Sequence, residues 1–185
     1  MKNQNKLSTL DMIYIALFGV LIGICSWITI PGAVPFTLQT FGVFLTVSVL
    51  GGKRGTSAVL LYIFMGLLGI PVFSGFQGGI GVILGPTGGY IIGFVFGALI
   101  MWLFEIILVQ NFYLQGLSMI TALIVCYAIG SMWYLMIYSG NSGDISIMTV
   151  ISLCVIPFII PDIIKIVLAL FLGKRLRPII SKSKI

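Results

Sequence analysis

Three ionisable residues lie inside otherwise apolar stretches of the sequence: Glu105, Asp162 and Lys165. A charge at hydrocarbon depth costs about 2.5 kcal/mol or more, so such residues are functional candidates by default. Asp162 and Lys165 are three positions apart, which places them on one face of a helix and lets them partly neutralise each other. The pair offers an acceptor and a cationic donor to a polar ligand. The alternative interpretation is an ion pair that only braces two helices.

The position of the pair after Pro161 predicts that Asp162 lies in the first turn of a helix, where the macrodipole favours an acid. Glu105 lies near the inner, C-terminal end of its own predicted helix, where it can reach the membrane interface. We therefore expect a structural role for that carboxylate.

The connections between apolar runs hold further polar candidates. Residues 71–90 are rich in glycine yet apolar, unlike a solvated linker. Non-helical backbone at membrane depth is tolerated when it is buried in protein or lines a cavity. This segment therefore predicts a loop that folds back over a ligand, with Gln77, Thr87 and Tyr90 as contacts. A flexible crossover without a ligand role is the alternative.

Residues 31–36 form an earlier connection on the same side of the membrane, and residues 37–40 follow it at the start of the second predicted helix. This segment predicts Gln39 just inside the second helix, where its amide can donate to and accept from a ligand. The alternative is a hydrogen bond that only joins two helices.

The composition indicates which solvent surrounds these residues. The chain is 59% hydrophobic and 8% charged, with a mean hydropathy of +1.22. A soluble domain of this length needs more charged residues to cover its surface, whereas a lipid-facing surface needs none. The first apolar run is not followed by a small-residue cleavage site, so we expect a retained helix rather than a signal peptide.

The residue types also limit the catalytic and metal-binding functions that the chain can have. Histidine is absent, which removes histidine-dependent triads and the usual catalytic zinc sites. The three cysteines (Cys25, Cys126 and Cys154) lie in apolar runs without metal-ligand spacing. We therefore predict a protein with no enzymatic activity, no metal and no cofactor.

The lengths of the apolar runs predict an all-α fold with six transmembrane helices. About 20 helical residues span the hydrocarbon of a bilayer. The runs predict one integral membrane domain over residues 1–185, with helices over 11–30, 37–50, 55–70, 88–109, 116–138 and from 157 or 161 to 172. A long Gly-rich outer loop joins the third and fourth helices. Residues 145–156 fit either an extension of the last helix or a separate short helix.

The positions of the basic residues predict the orientation. Nine of the ten are expected on one side with both termini: Lys2, Lys6, Lys53, Arg54, Lys174, Arg175, Arg177, Lys182 and Lys184. The three connections on the other side contain no Lys or Arg, and only Lys165 lies in a span. Basic residues favour the cytoplasmic side, so both termini are predicted there. The basic residues share no face with aromatic residues, which argues against nucleic acid as a partner.

Four motifs follow one another along the chain: PFTLQT (35–40), GIPVF (69–73), LGPTGGY (84–90) and PFIIPDIIK (157–165), with a basic turn at Lys53-Arg54-Gly55. In this order they resemble the BioY family, the biotin-specific S components of energy-coupling factor (ECF) transporters. The resemblance implies a six-helix bundle in a prokaryotic cell membrane, with biotin bound in an outward-facing pocket. It also implies that Asp162 and Lys165 contact biotin and that the loop after the third helix caps the pocket.

The resemblance further implies partners. An S component docks onto a transmembrane T component coupled to two ABC-type ATPases, often through an A-x-x-x-A pattern on the first helix. Here Ala16 is followed four residues later by Val20, so we expect docking to centre on Gly19 and Gly23 beside Ala16. The alternative functions are an S component for another vitamin-like solute and a secondary transporter. An intramembrane enzyme and a purely structural subunit fit the residues less well.

Overall fold

The computed structural model describes residues 8–32, 34–108, 111–141 and 146–182. These ranges are mainly helical. The helices are α1 (Thr9–Trp27), α2 (Gln39–Leu50), α3 (Gly52–Leu67), α4 (Ile80–Leu84), α5 (Gly88–Ile107), α6 (Phe112–Asn141), α7 (Ile147–Cys154) and α8 (Ile156–Lys182). Two short strands, β1 (Thr29–Ile30) and β2 (Phe36–Thr37), pair antiparallel, and Ser74–Phe76 form a 3-10 turn.

Four stretches in the described ranges are long and apolar enough to cross a membrane: Thr9–Trp27, Gly88–Ile107, Phe112–Ser139 and Ile147–Ile180. The predictions that the protein is mainly helical and that it has segments able to span a membrane are confirmed. The second and third predicted spans, α2 and α3, have 12 and 16 residues. At about 1.5 Å per residue they measure roughly 18 and 24 Å, less than the hydrocarbon thickness of about 30 Å.

Helix α2 lies at the centre of the bundle. Ten of its twelve residues are buried, and it contacts α1, α3, α5 and α8. Helix α5 packs along α6 on one side. The outer faces of the longer helices expose large apolar side chains such as Leu17, Leu103 and Ile124. This arrangement matches a helix bundle surrounded by lipid, where an apolar exterior needs no polar cover.

Several boundaries differ from the prediction. Helix α1 ends at Trp27 because the following residues form a hairpin, in which Thr29 pairs with Thr37 and Ile30 with Phe36. The last helix continues to Lys182 rather than ending near residue 172. Its added turns contain Lys and Arg, which are good helix formers but fall outside an apolar run, so a hydropathy criterion misses them.

The stretch around residues 145–156 contains a separate helix. Helix α7 ends at Cys154, and the backbone leaves helical geometry at Val155 (φ −125°, ψ −58°). Helix α8 then starts at Ile156 and runs through Pro161. Asp162 therefore lies in the second turn of α8, and the prediction that it occupies the first turn is wrong. The macrodipole falls off within the first turn, so it is not the main stabilisation of this carboxylate.

The connection between α3 and α5 is folded against the bundle. Gly79 N–H donates to the Gly66 carbonyl (2.7 Å). Trp27 Nε1 donates to the Pro71 carbonyl (2.7 Å), and the Ser26 hydroxyl donates to the carbonyl of Val72. Side-chain hydrogen bonds from the end of α1 thus fix the backbone of this loop.

Candidate ligand-binding site

The predicted ion pair lies inside the bundle. Lys165 Nζ donates to Asp162 Oδ1 at 2.7 Å. The two residues are only 4% and 3% exposed. Charges this deeply buried persist only when partners offset their lost hydration. The neighbours of the pair therefore decide what it can do.

Asp162 has a second partner on another helix. The Tyr127 hydroxyl, on α6, donates to Asp162 Oδ2 at 2.6 Å. Each carboxylate oxygen thus accepts one charge-assisted hydrogen bond, and each keeps a further lone-pair direction. Tyr127 holds the carboxylate in a fixed orientation and leaves it able to accept from a ligand.

Lys165 is held by the hairpin between α1 and α2. Its Nζ donates to the Thr37 carbonyl at 2.7 Å and lies 4.1 Å from the centre of the Phe36 ring. The Phe36 ring in turn stacks on Phe158 of α8 at 6.1 Å. The short strand pairing thus positions both a backbone acceptor and a cation–π partner. One of the three N–H bonds of the ammonium remains for another acceptor.

Gln39 is the first residue of α2 and is buried. Its Nε2 donates to the Tyr62 hydroxyl at 2.7 Å, and the Tyr62 ring meets the Phe73 ring edge-on at 5.6 Å. Phe73 belongs to the loop after α3 and occupies space that a side chain at Gly66 would fill. Gln39 is thereby linked to the loop through two aromatic rings.

A cavity of about 60 Å³ connects these groups. Five of the six predicted ligand contacts line it: Gln39, Thr87, Tyr90, Asp162 and Lys165. Its other walls include the aromatic residues Phe94, Tyr127 and Phe158, and the thiols Cys126 and Cys154. Apolar walls with a few convergent polar groups are typical of small-molecule sites.

The structure does not bring Gln77 into this cavity. Its backbone carbonyl accepts from Phe73 N–H (2.9 Å), which closes a tight turn and leaves the Gln77 side chain exposed. Ser74, three residues earlier in the same turn, lines the cavity instead. Counting polar residues along a loop cannot tell which side chains point inward.

Tyr90 reaches the cavity because α6 carries a glycine opposite it. A Cβ at Gly130 would overlap the Tyr90 ring, so the missing side chain lets α5 and α6 approach each other. The Tyr90 hydroxyl donates to the Cys154 carbonyl at 3.4 Å and lies 3.5 Å from Ser131 Oγ. Tyr90 therefore connects α5, α6 and the end of α7.

Tyr127 is the main polar contact that the sequence analysis missed. Tyrosine in membrane helices is enriched at the interface with water. Tyr127 lies near the middle of α6, among apolar residues. A tyrosine hydroxyl at this depth needs a buried hydrogen-bond partner. That requirement could have identified Tyr127 as a candidate site residue from the sequence.

The three predicted docking residues divide into two groups. Gly19 and Gly23 are buried within the chain: a Cβ would lie 3.3 Å from the Ala58 carbonyl oxygen at Gly19, and 3.3 Å from Val72 Cβ at Gly23. Ala16 lies on the exposed face of α1. The two glycines let α1 pack closely on its own chain, and Ala16 is the one of the three that faces outward.

Glu105 fits the structural role expected of it. Its Oε1 accepts from Arg177 Nη2 at 2.6 Å, and its Oε2 accepts from the backbone N–H of Gly52. This carboxylate ties the ends of α5 and α8 to the start of α3. It does not line the cavity around Asp162.

Comparisons with known proteins agree on one family. The model of the BioY family matches residues 1–182 of the chain. The biotin transporter BioY of Thermotoga maritima is 40% identical over 168 residues, which cover 90% of this chain and 95% of the relative. The probable biotin transporter BioY of Pyrococcus horikoshii is 42% identical over 164 residues, covering 88% and 93%.

A solved structure gives the same result. The crystal structure, at 2.1 Å, of the S-component for biotin from an ECF-type ABC transporter superposes with a TM-score of 0.80. The two chains are 30% identical, and the match covers 96% of this chain and 95% of the other. The resemblance drawn from the four motifs is confirmed, and the chain belongs to the BioY family.

Proposed function

We propose that this chain is the biotin-binding S component of an ECF transporter. It binds biotin from outside the cell and delivers it inward with an ATP-driven module. The names of its relatives and its structural neighbour support this function. The observation that carries the proposal is the buried pair of Asp162 and Lys165, which opens onto a cavity with unused hydrogen-bonding capacity.

The ureido ring of biotin complements this pair. A ureido group has two N–H donors and one carbonyl acceptor. Asp162 accepts from a ureido N–H, and the third N–H of Lys165 donates to a carbonyl or carboxylate of the ligand. Gln39 supplies a neutral amide beside them, and Thr87 and Tyr90 line the same cavity. The aromatic walls bury the apolar part of the ligand.

Binding requires movement of the cavity walls. The cavity volume of about 60 Å³ is well below the roughly 300 Å³ at which ligand pockets begin. The connections on the outer side carry Pro35, Ser74 and Thr87 onto the cavity, so a ligand that enters from outside has to displace them, including the hydrogen bonds from Ser26 and Trp27 to the loop after α3. These segments therefore open to admit the ligand and close over it.

In the membrane, six helices cross or largely cross the bilayer: α1, α2, α3, α5, α6 and α8. The basic residues Lys53, Arg54, Lys174, Arg175 and Arg177 share one end of the bundle, where the ion pairs Arg54–Asp11 and Arg177–Glu105 form. This end is cytoplasmic by the positive-inside rule, with both termini on the same side. Lys2, Lys6 and Lys184 lie outside the described residues.

The partners are a T component and two ABC ATPases in a prokaryotic plasma membrane. The exposed face of α1 around Ala16 is the docking surface on this chain. An Ala16→Trp substitution adds bulk on an exposed face, so it weakens co-purification with the T component without changing biotin affinity. Unchanged co-purification would contradict docking at this position.

The test of the ligand is calorimetry of the purified protein against a vitamin panel that includes biotin, riboflavin and thiamine. A matched analogue of biotin then tests the proposed contact between Lys165 and the ureido group. In 2-iminobiotin an imino group, protonated to a guanidinium at neutral pH, replaces the ureido oxygen, so Lys165 meets a donor instead of an acceptor while ring shape is kept. Losing one charge-assisted hydrogen bond of about 1.5–3 kcal/mol predicts roughly 10- to 100-fold weaker binding. Tighter binding of another vitamin would overturn biotin as the ligand.

The alternative is transport of biotin or another vitamin-like solute without the energising module. Proteoliposomes that contain only this chain distinguish the two. The proposed S component binds biotin but accumulates none, whereas a secondary transporter accumulates it under an ion gradient.

A further inference from the structure

A second, larger cavity lies at the basic end of the bundle. Its volume is about 380 Å³, and it shares no lining residue with the cavity around Asp162. Helix α8 passes both: Lys174 lies nine residues beyond Lys165, about 13 Å along a helix. The walls come from α2, α5, α6 and α8.

Charge in this second cavity is unevenly compensated. Arg177 and Glu105 pair at 2.6 Å, and Glu105 also accepts from Gly52 N–H, so neither charge is in surplus. Lys174 also lines the cavity, and its Nζ lies 5.4 Å from the Phe112 ring. Among the described residues no carboxylate pairs with Lys174. The cavity therefore carries one net positive charge that an anion can neutralise.

The start of α6 adds neutral donors to the same wall. Asn111 Oδ1 accepts from Leu114 N–H (2.8 Å) and caps the helix. The Leu114 N–H is therefore occupied, and the N–H groups of Phe112 and Tyr113 are the ones at this helix start that have no acceptor within the helix; together with the macrodipole they favour an anion. On the floor, Gln115 Nε2 donates to Ser48 Oγ at 2.6 Å, which closes the cavity toward the bundle centre.

The rest of the wall is apolar. It includes Met101, Phe104, Leu108 and Pro178. Nearby outward side chains, such as Ile106 and Ile107, are 68% and 67% exposed, so the lipid-facing surface continues to the rim of the cavity. A cavity with a cation and N–H donors on one side and apolar walls continuous with lipid on the other fits an amphiphile with an anionic head.

We propose that this cavity binds one anionic phospholipid. Lys174 and the start of α6 hold its phosphate, and the apolar wall of Met101, Phe104 and Leu108 holds the upper part of an acyl chain. The site would fasten the ends of α5, α6 and α8 to the leaflet on the basic side. It is independent of the vitamin site.

Native mass spectrometry of the full chain in detergent tests this proposal, with dioleoylphosphatidylglycerol as probe and dioleoylphosphatidylcholine as the zwitterionic control. Lys174→Gln should weaken phosphatidylglycerol binding about fivefold, the equivalent of the ~1 kcal/mol of one basic residue near an anionic headgroup. Arg175→Gln is the matched variant. It removes the same charge from the adjacent exposed residue, which does not line the cavity, so binding should change less than about twofold.

Several results would overturn the site. Equal binding of the two lipids, or equal losses in the two variants, would show that no anionic headgroup is held at Lys174. Competition by millimolar inorganic phosphate would assign the site to a free anion instead of a lipid. Unchanged lipid binding in Lys174→Gln with weaker assembly into a transporter complex would assign the cavity to a partner protein. Both side chains are exposed, so unfolding temperatures should match that of the unmodified chain.

Discussion

The buried pair on α8 allows a stabilising role and a binding role to be separated. Replacing Lys165 by Met removes its hydrogen bonds to Asp162 Oδ1 and to the Thr37 carbonyl, both at 2.7 Å. Among the residues that the structure describes, Tyr127 is then the remaining hydrogen-bond partner of Asp162. Breaking a buried pair in this way typically costs about 3–5 kcal/mol, because an uncompensated charge remains. We expect the single variant to unfold at a clearly lower temperature in detergent.

The double variant Asp162→Asn/Lys165→Met leaves no charge behind. Asn keeps the shape of Asp162 and can still accept from the Tyr127 hydroxyl, while Met fills most of the space of the Lys165 stem. Replacing a buried ion pair by neutral residues of similar volume is often neutral for stability. The unfolding temperature should therefore return to near that of the unmodified chain.

Biotin binding should not recover with stability. The double variant lacks the ionised acceptor and the cationic donor, which together contribute two charge-assisted hydrogen bonds of about 1.5–3 kcal/mol each. Affinity should fall by roughly two to four orders of magnitude. Calorimetry on the folded double variant measures this. Affinity within about threefold of the unmodified chain would show that the pair is only a brace and would remove both residues from the site.

Three further predictions use other parts of the chain. Tyr127→Phe removes one hydrogen bond to a carboxylate, so biotin affinity should fall about tenfold by calorimetry; unchanged affinity would show that Asp162 needs no orienting partner. Lys53→Cys and Ser139→Cys should react with an impermeant maleimide from opposite sides of the membrane, and labelling from one side would contradict the six-helix arrangement. Gly130→Ala should destabilise the protein by about 1–3 kcal/mol, since its Cβ overlaps the Tyr90 ring. Gly81→Ala is the matched control, with open space around the new Cβ, and equal unfolding temperatures for the two would refute this packing argument.

The sequence predicted those parts of the site that depend on local spacing. Asp162 and Lys165 form the expected pair because residues three apart on a helix are neighbours. Their other partners could not be predicted in this way. Tyr127 and Thr37 are 35 and 128 residues away in sequence, from Asp162 and Lys165 respectively, and only the packed bundle brings them together.

The differences from prediction have the same origin. A Gly-x-x-x-Gly pattern indicates close helix packing but does not identify the other helix, and Gly19 and Gly23 use it within the chain. Gln77 was assigned to the site by its position in an apolar loop, yet the turn that is closed by the hydrogen bond from Phe73 N–H to the Gln77 carbonyl leaves the Gln77 side chain exposed. The helix lengths followed from hydropathy only while the chain remained apolar. The basic turns at the end of α8 therefore escaped detection.

The two ion pairs that involve α8, Lys165–Asp162 and Arg177–Glu105, differ in their burial and in their remaining hydrogen-bonding capacity, and this difference supports the proposed vitamin site at Lys165–Asp162. At Glu105, both carboxylate oxygens are bound, and the side chain is 23% exposed and thus accessible to solvent. At Asp162 and Lys165 the side chains are almost fully buried, yet one ammonium N–H and half of the carboxylate capacity remain available. Each of these polar atoms already has one partner or more, so neither side chain is left unsatisfied, and the remaining donor and acceptor positions are free for a ligand. A ligand with N–H donors and a carbonyl, as proposed above for biotin, matches these remaining positions.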